Sequence, residues 1–144
     1  MKLSHIPLRA ITGAYIFHTG LQKWSGDEDT ATAIHGMASG TYPVFESLSP
    51  TTFLRILAAG EMATGAALLA PMVSAARAGA LLTGFSGALV GLYVKTPGMR
   101  QPGSIWPAPA GIAVSKDIWL VAIGLALLAD AVVDRVSGKA SAGS

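Results

Sequence analysis

Two side chains with acid–base capacity, His18 and Glu61, belong to apolar stretches of the chain. His18 lies in "FHTGLQKW" and Glu61 lies in "RILAAGEMATGAALL". A carboxyl group inside a membrane is costly unless it finds a partner or keeps its proton, and such groups often mark proton or solute pathways. The pair predicts either proton handling or a hydrogen-bonded clasp between two helices that does no chemistry. The clasp is the simpler interpretation, because one carboxyl group and one histidine do not define a reaction.

The composition identifies the solvent of these stretches as lipid. Of 144 residues, 51% are apolar and 12% are charged, and the mean hydropathy is +0.52. An ordinary soluble domain has about a quarter charged residues. The net charge is +2, and the basic residues form no cluster that would favour nucleic-acid binding. The absence of cysteine excludes disulfides, thiolate metal sites and a cysteine nucleophile, and no histidine pair has metal-site or haem spacing.

Four apolar segments predict an all-α integral membrane protein, a multi-pass protein of the cell membrane. A spanning helix needs roughly 20 predominantly apolar residues. The predicted transmembrane helices cover residues 7–22, 52–73, 75–94 and 117–134, and they form one antiparallel four-helix bundle within residues 1–136.

The connecting segments and the termini follow from these helices. We predict outer loops at residues 23–51 and 95–116 and a disordered tail at residues 137–144. In the first loop Gly36, Gly40 and Pro43 are typical helix breakers. Basic residues are almost equally divided between the two faces, so the positive-inside rule only slightly favours cytoplasmic N- and C-termini.

Depth along the helices predicts which polar groups meet. With a rise of 1.5 Å per residue, His18 lies roughly 16 Å from the cytoplasmic edge and Glu61 about 13 Å below the outer edge of a ~30 Å core. Ser86 falls at about the same level. We therefore predict an intramembrane polar layer of His18, Glu61 and Ser86, and nearer the cytoplasm an ion pair between Arg9 and Asp130.

The third helix carries small residues at four-residue intervals. Such stripes let helix backbones approach closely in lipid, where there is little hydrophobic drive for association. Two adjacent stripes predict that this helix is central and packs on both sides. Their members are Ala76, Ala80, Gly84 and Ala88, with Gly79, Thr83, Gly87 and Gly91 beside them.

Over residues 7–95 the chain resembles the DoxX family of small bacterial four-helix membrane proteins. The resemblance lies in a basic residue early in the first helix, the segment "HTGLQKW" at its end, and the glutamate and glycine of "GEMATG" in the second. The matching residues are Arg9, His18, Gly20, Lys23, Glu61 and Gly65. The "HTG" of this chain replaces the contiguous His-Gly pair of the family.

The resemblance implies a role rather than a reaction. Relatives in the family include a subunit of a thiosulfate:quinone oxidoreductase and components of redox-stress assemblies. We therefore expect an accessory or scaffold subunit that contacts lipid and either other membrane proteins or copies of itself. The alternatives are a quinone-linked subunit in which Glu61 and His18 handle protons, with quinone as the cofactor, and a small-solute transporter.

Overall fold

The computed structural model describes residues 2–142, without the side chains of residues 135 and 138–142, and the predicted all-α fold is confirmed. In chain order the helices are α1 (His5–Trp24), α2 (Glu28–Thr41), α3 (Pro50–Leu69), α4 (Ala75–Lys95), α5 (Ile112–Ser115) and α6 (Ile118–Ala142). Single 3-10 turns occur at Pro43–Phe45 and Pro109–Gly111.

Three segments are long and apolar enough to cross a bilayer, and they indicate a membrane protein. They are Pro50–Leu69, Ala75–Lys95 and Pro109–Asp134. Helix α1 has 20 residues but does not belong to this group, and it carries two basic residues and two histidines.

Helices α1 and α3 form a tightly packed pair because glycines line their interface. A Cβ placed on Gly65 would lie 2.6 Å from the backbone nitrogen of Phe17 and 2.7 Å from the carbonyl oxygen of Gly13. A Cβ on Gly20 would lie 2.9 Å from the carbonyl oxygen of Ala58. Only glycine permits these backbones to approach so closely.

Helices α4 and α6 form the second tight pair, again through glycine. A Cβ on Gly79 would lie 2.7 Å from the carbonyl oxygen of Gly124, which also packs against Thr83. Of the predicted stripe through Gly79, Thr83, Gly87 and Gly91, only Gly79 and Thr83 pack against α6. The prediction of two packed stripes is wrong, because Gly84 and Gly87 are exposed and a Cβ on either would meet nothing within 4 Å.

The remaining small residues of α4 show the same division. Ala80 and Ala88 are exposed, Ala76 is half-buried, and Gly91 packs against the ring of Tyr42 rather than against another long helix. Helix α4 thus has one packed small-residue face, toward α6, and it also contacts α3 and α2.

The two pairs are joined loosely, and α2 lies across the cleft between α3 and α4. We predicted a loop here, but Gly36 and Gly40 are accommodated within α2. Asp27 caps the start of this helix, and its carboxylate accepts a hydrogen bond from the Thr30 amide at 2.9 Å. Asp at this position is a strong helix-start signal, and acidic residues follow in the first turn.

Two further boundaries differ from those predicted. Helix α3 ends at Leu69 rather than at residue 73, because Pro71 disfavours the helical conformation at Ala70, which is extended. Helix α6 continues to Ala142, so residues 137–142 of the predicted disordered tail have helical backbone, while residues 143 and 144 lie outside the described residues.

Candidate functional site

The carboxyl group of Glu61, in the apolar helix α3, is paired with Lys23 of α1. Lys23 Nζ lies 3.0 Å from Glu61 Oε2 and 3.0 Å from Oε1. The Glu61 side chain is 7% exposed and that of Lys23 is 26% exposed. A buried charge needs such a partner, since an unpaired carboxylate in a low-dielectric environment is unstable. Glu61 is therefore one half of a clasp between α1 and α3.

The predicted contact between His18 and Glu61 is absent, because His18 is exposed on the other side of α1. Glu61 packs against Gly20, only two residues further along. Successive helical residues are rotated by about 100°, so His18 and Gly20 point in nearly opposite directions at nearly the same depth. Lys23, three residues beyond Gly20, returns to the inner face.

Ser86, the predicted third member of the polar layer, makes its hydrogen bond within its own helix. It is fully buried and donates a hydrogen bond at 2.6 Å to the Leu82 carbonyl oxygen of its own helix. Its neighbour Phe85 faces the cleft instead and lies near Gly60 of α3. The polar layer of His18, Glu61 and Ser86 is therefore not formed.

A second carboxyl group, that of Asp117, lies near the Lys23–Glu61 pair. Asp117 precedes α6 and lines the same cavity as Lys23 and Glu61, with which it interacts electrostatically. Within the described part of the chain its carboxylate has no hydrogen bond or ion pair. The sequence analysis does not single out Asp117, and the available signal was a carboxyl group at the first position of the predicted helix at residues 117–134.

These three charged residues border an apolar space that we call the interhelical chamber. It comprises a cavity of about 310 Å³ lined by Lys23, Glu61 and Asp117 and a purely hydrophobic cavity of about 260 Å³ beside it. The two cavities share one wall, formed by Ile34, Leu57, Phe85, Leu89 and Leu92. The chamber thus offers a polar end and an apolar body, as sites for small hydrophobic molecules do.

Helix α2 covers the apolar end of the chamber and is held there by polar contacts. His35 Nε2 lies 2.9 Å from the Phe45 carbonyl oxygen, and its ring packs edge-on against Phe53 at 5.5 Å. The Tyr42 hydroxyl donates to the Ala88 carbonyl oxygen of α4 at 2.8 Å. These contacts to α3 and α4 hold α2 over the cleft between the two helices.

At the other end of the bundle, the predicted Arg9–Asp130 ion pair is not formed. Arg9 is 2% exposed and donates at 2.8–3.0 Å to the last carbonyl oxygens of α3 and the turn after it, those of Ala67, Leu68, Ala70 and Val73. These carbonyls have no partner within the helix, so the guanidinium caps the C-terminus of α3. Asp130 instead accepts hydrogen bonds from Lys2 at 2.8 Å and contacts His5 at 2.7 Å.

Within the described residues, no group of three or more histidine and carboxylate side chains is arranged to hold a metal ion. The chemistry of the chamber therefore depends on one ammonium and two carboxyl groups beside an apolar wall. Comparisons with protein-family models, curated proteins and solved structures found no match to this chain.

Proposed function

We propose that all four long helices span the membrane and that both termini are cytoplasmic. Helix α1 packs against the apolar span α3 through Gly13, Gly20 and Gly65, so the two helices share a depth. Both basic residues of α1 have partners inside the bundle: Arg9 donates hydrogen bonds to carbonyl oxygens, and Lys23 pairs with Glu61. Charged residues of a spanning helix are expected to face the bundle in this way.

The topology has a direct test, because the chain contains no native cysteine. Single cysteines at Ile105 and Met72, which are 76% and 81% exposed, report on opposite ends of the bundle. An impermeant thiol reagent applied to intact cells should label Ile105→Cys, whereas Met72→Cys should react only after permeabilisation. The reverse pattern would overturn the orientation, and labelling of both would overturn the four-span arrangement.

We further propose that the protein is an accessory membrane subunit, similar in kind to DoxX proteins, that holds a quinone for a redox partner. The observation that carries the proposal is the interhelical chamber, whose apolar body ends at the buried Lys23–Glu61 pair. A quinone has the matching shape, with polar ring oxygens and an apolar tail.

The donor groups of the chamber fit such a ligand. An ammonium has three N–H donors, and Glu61 occupies no more than two of those of Lys23, so one remains for a ring oxygen. The hydrophobic wall at Phe85 and Leu89 would hold the ring and tail. A bound quinone would supply the electron-accepting chemistry, while this chain binds and orients it. Glu61 then acts as a positioning residue that holds Lys23 toward the chamber.

The experiment is purification of the protein from bacterial membranes in a mild detergent, followed by extraction and mass spectrometry of bound quinone and of co-purifying proteins. Lys23→Met should lose most of the quinone. Lys116→Met is the matched control, because Lys116 is exposed and does not line the chamber. An absence of quinone from the wild-type protein, or equal amounts in both variants, would refute the proposed site. A homo-oligomer without partner proteins would refute the accessory role.

A further inference from the structure

The polar end of the interhelical chamber has more hydrogen-bond acceptors than donors. Both Glu61 oxygens lie 3.0 Å from Lys23 Nζ, which leaves that ammonium one N–H donor. Asp117 adds a carboxylate with two acceptor oxygens and no direct partner within the described part of the chain. An ionised carboxylate cannot donate, so the balance of the site is toward acceptors.

The position of Asp117 makes this imbalance important for a ligand. Asp117 is half-buried at the start of α6, and Val114 and Leu120 line the cavity on either side of it. Lys23 and Glu61 are the other charged side chains that line the chamber in the described structure. Because Lys23 is already bound to Glu61, the carboxylate of Asp117 is matched best by a donor from the ligand.

We propose that the chamber binds the reduced, hydroquinone form of its ligand in preference to the quinone, with Asp117 as the specificity-determining residue. This inference rests on the proposed quinone site. The ring oxygens of a quinone only accept hydrogen bonds, and a carbonyl facing a carboxylate places acceptor against acceptor. A hydroquinone presents O–H donors, which form short and strong bonds to an ionised carboxylate.

The preference places the chain after a reductive step. A subunit that retains hydroquinone holds the product of a reaction that reduces quinone, or supplies the substrate of one that oxidises hydroquinone. Because the site favours the reduced form, bound ligand should be reduced more easily than free ligand.

The test compares the affinities of the purified full chain in detergent for a short-tailed benzoquinone and for its hydroquinone, the latter kept reduced under argon. Measurements at neutral pH should give about tenfold tighter binding of the hydroquinone, the effect of one hydrogen bond to a charged group. In Asp117→Asn the two affinities should agree within about threefold, because an amide both donates and accepts. Asp29→Asn is the control, since it makes the same change at an exposed site on α2 and should keep the wild-type ratio.

The possible results separate this inference from the function on which it rests. Equal affinities in the wild-type chain, or tighter binding of the quinone, would overturn the preference and leave the proposed site intact. Binding of neither form would refute the proposed function itself. A wild-type ratio that persists in Asp117→Asn would overturn the role of Asp117. Asp117→Ser provides the same comparison if the asparagine variant does not fold.

Discussion

Replacing Glu61 with leucine removes the carboxylate that Lys23 contacts through both oxygens at 3.0 Å. Breaking a fully buried pair by removing one partner costs about 3–5 kcal/mol, whereas an exposed pair contributes about 0.2–1 kcal/mol. Glu61 is 7% exposed and Lys23 is 26% exposed, so the pair lies nearer the buried limit. The lysine can still move toward water once it is unpaired. We therefore expect Glu61→Leu to lower the free energy of unfolding by about 2–3 kcal/mol.

A double-mutant cycle separates the ion pair from general damage to the bundle. Lys23→Met and Glu61→Leu, alone and combined, are unfolded by titrating a denaturing detergent into mixed micelles while helicity is followed by circular dichroism. If the two side chains interact directly, the combined variant should be about 2 kcal/mol more stable than the sum of the single losses predicts. Leucine and methionine suit lipid, so the residual loss should be small.

His18 provides the matched comparison, because depth alone predicted it as the partner of Glu61. It is exposed on the opposite side of α1, so His18→Leu should change stability by less than about 0.5 kcal/mol and be additive with Glu61→Leu. Additivity of Lys23→Met with Glu61→Leu, or a coupling above about 1 kcal/mol between His18 and Glu61, would refute the geometry of the clasp.

Three further predictions can be tested on the same detergent-solubilised protein. Gly65→Ala should lower the free energy of unfolding by about 2 kcal/mol, because the new methyl group would meet backbone atoms of α1. Gly84→Ala, which meets open space, should be neutral or stabilising by up to about 1 kcal/mol. Equal effects of the two variants would contradict the packing. Arg9→Met should cost about 3 kcal/mol, since four carbonyl contacts, one buried and three partly buried, lose their donor. Arg9→Lys should recover only part of this loss because lysine lacks the planar fork. The hydrogen bond from Thr30 lowers the pKa of Asp27 below its ordinary 3.8, so the cap stabilises α2 above that pH and is lost as the pH falls through the lowered pKa. The Thr30 amide shift in NMR spectra should report this loss, whereas Asp27→Asn, which caps without ionising, should show no such titration.

The sequence predicted one of the three charged residues of the candidate site. The importance of Glu61 was evident, because an acidic residue in a long apolar segment is conspicuous wherever the helix lies. Its partner was not evident, since Lys23 reads as an interfacial residue at the end of α1. Asp117 was missed for the same reason, as residues at helix ends are ordinarily solvated.

The sequence by itself predicted a membrane environment, the all-α class and the approximate position of the long helices. Composition and segment length add up residue by residue, so no tertiary contact is needed to predict them. Helix α2 was not predicted, because Gly36 and Gly40 argued for a loop. Glycine lowers helix propensity only modestly, and the packing of α2 on α3 and α4 outweighs that cost.

Only the tertiary structure decided which groups meet. Rise along an axis gives depth but not direction: five residues turn a helical side chain by about 140°, so Lys23 faces Glu61 whereas His18, about 7.5 Å away along the axis, does not. Arg9 was matched to Asp130 by charge, yet the unpaired carbonyls at the end of α3 provide more hydrogen bonds, and that helix end lies against Arg9 only because Gly13 and Gly65 bring α1 and α3 together. Rotation and close approach depend on side chains far apart in the chain, and the pairing of buried charges follows from both.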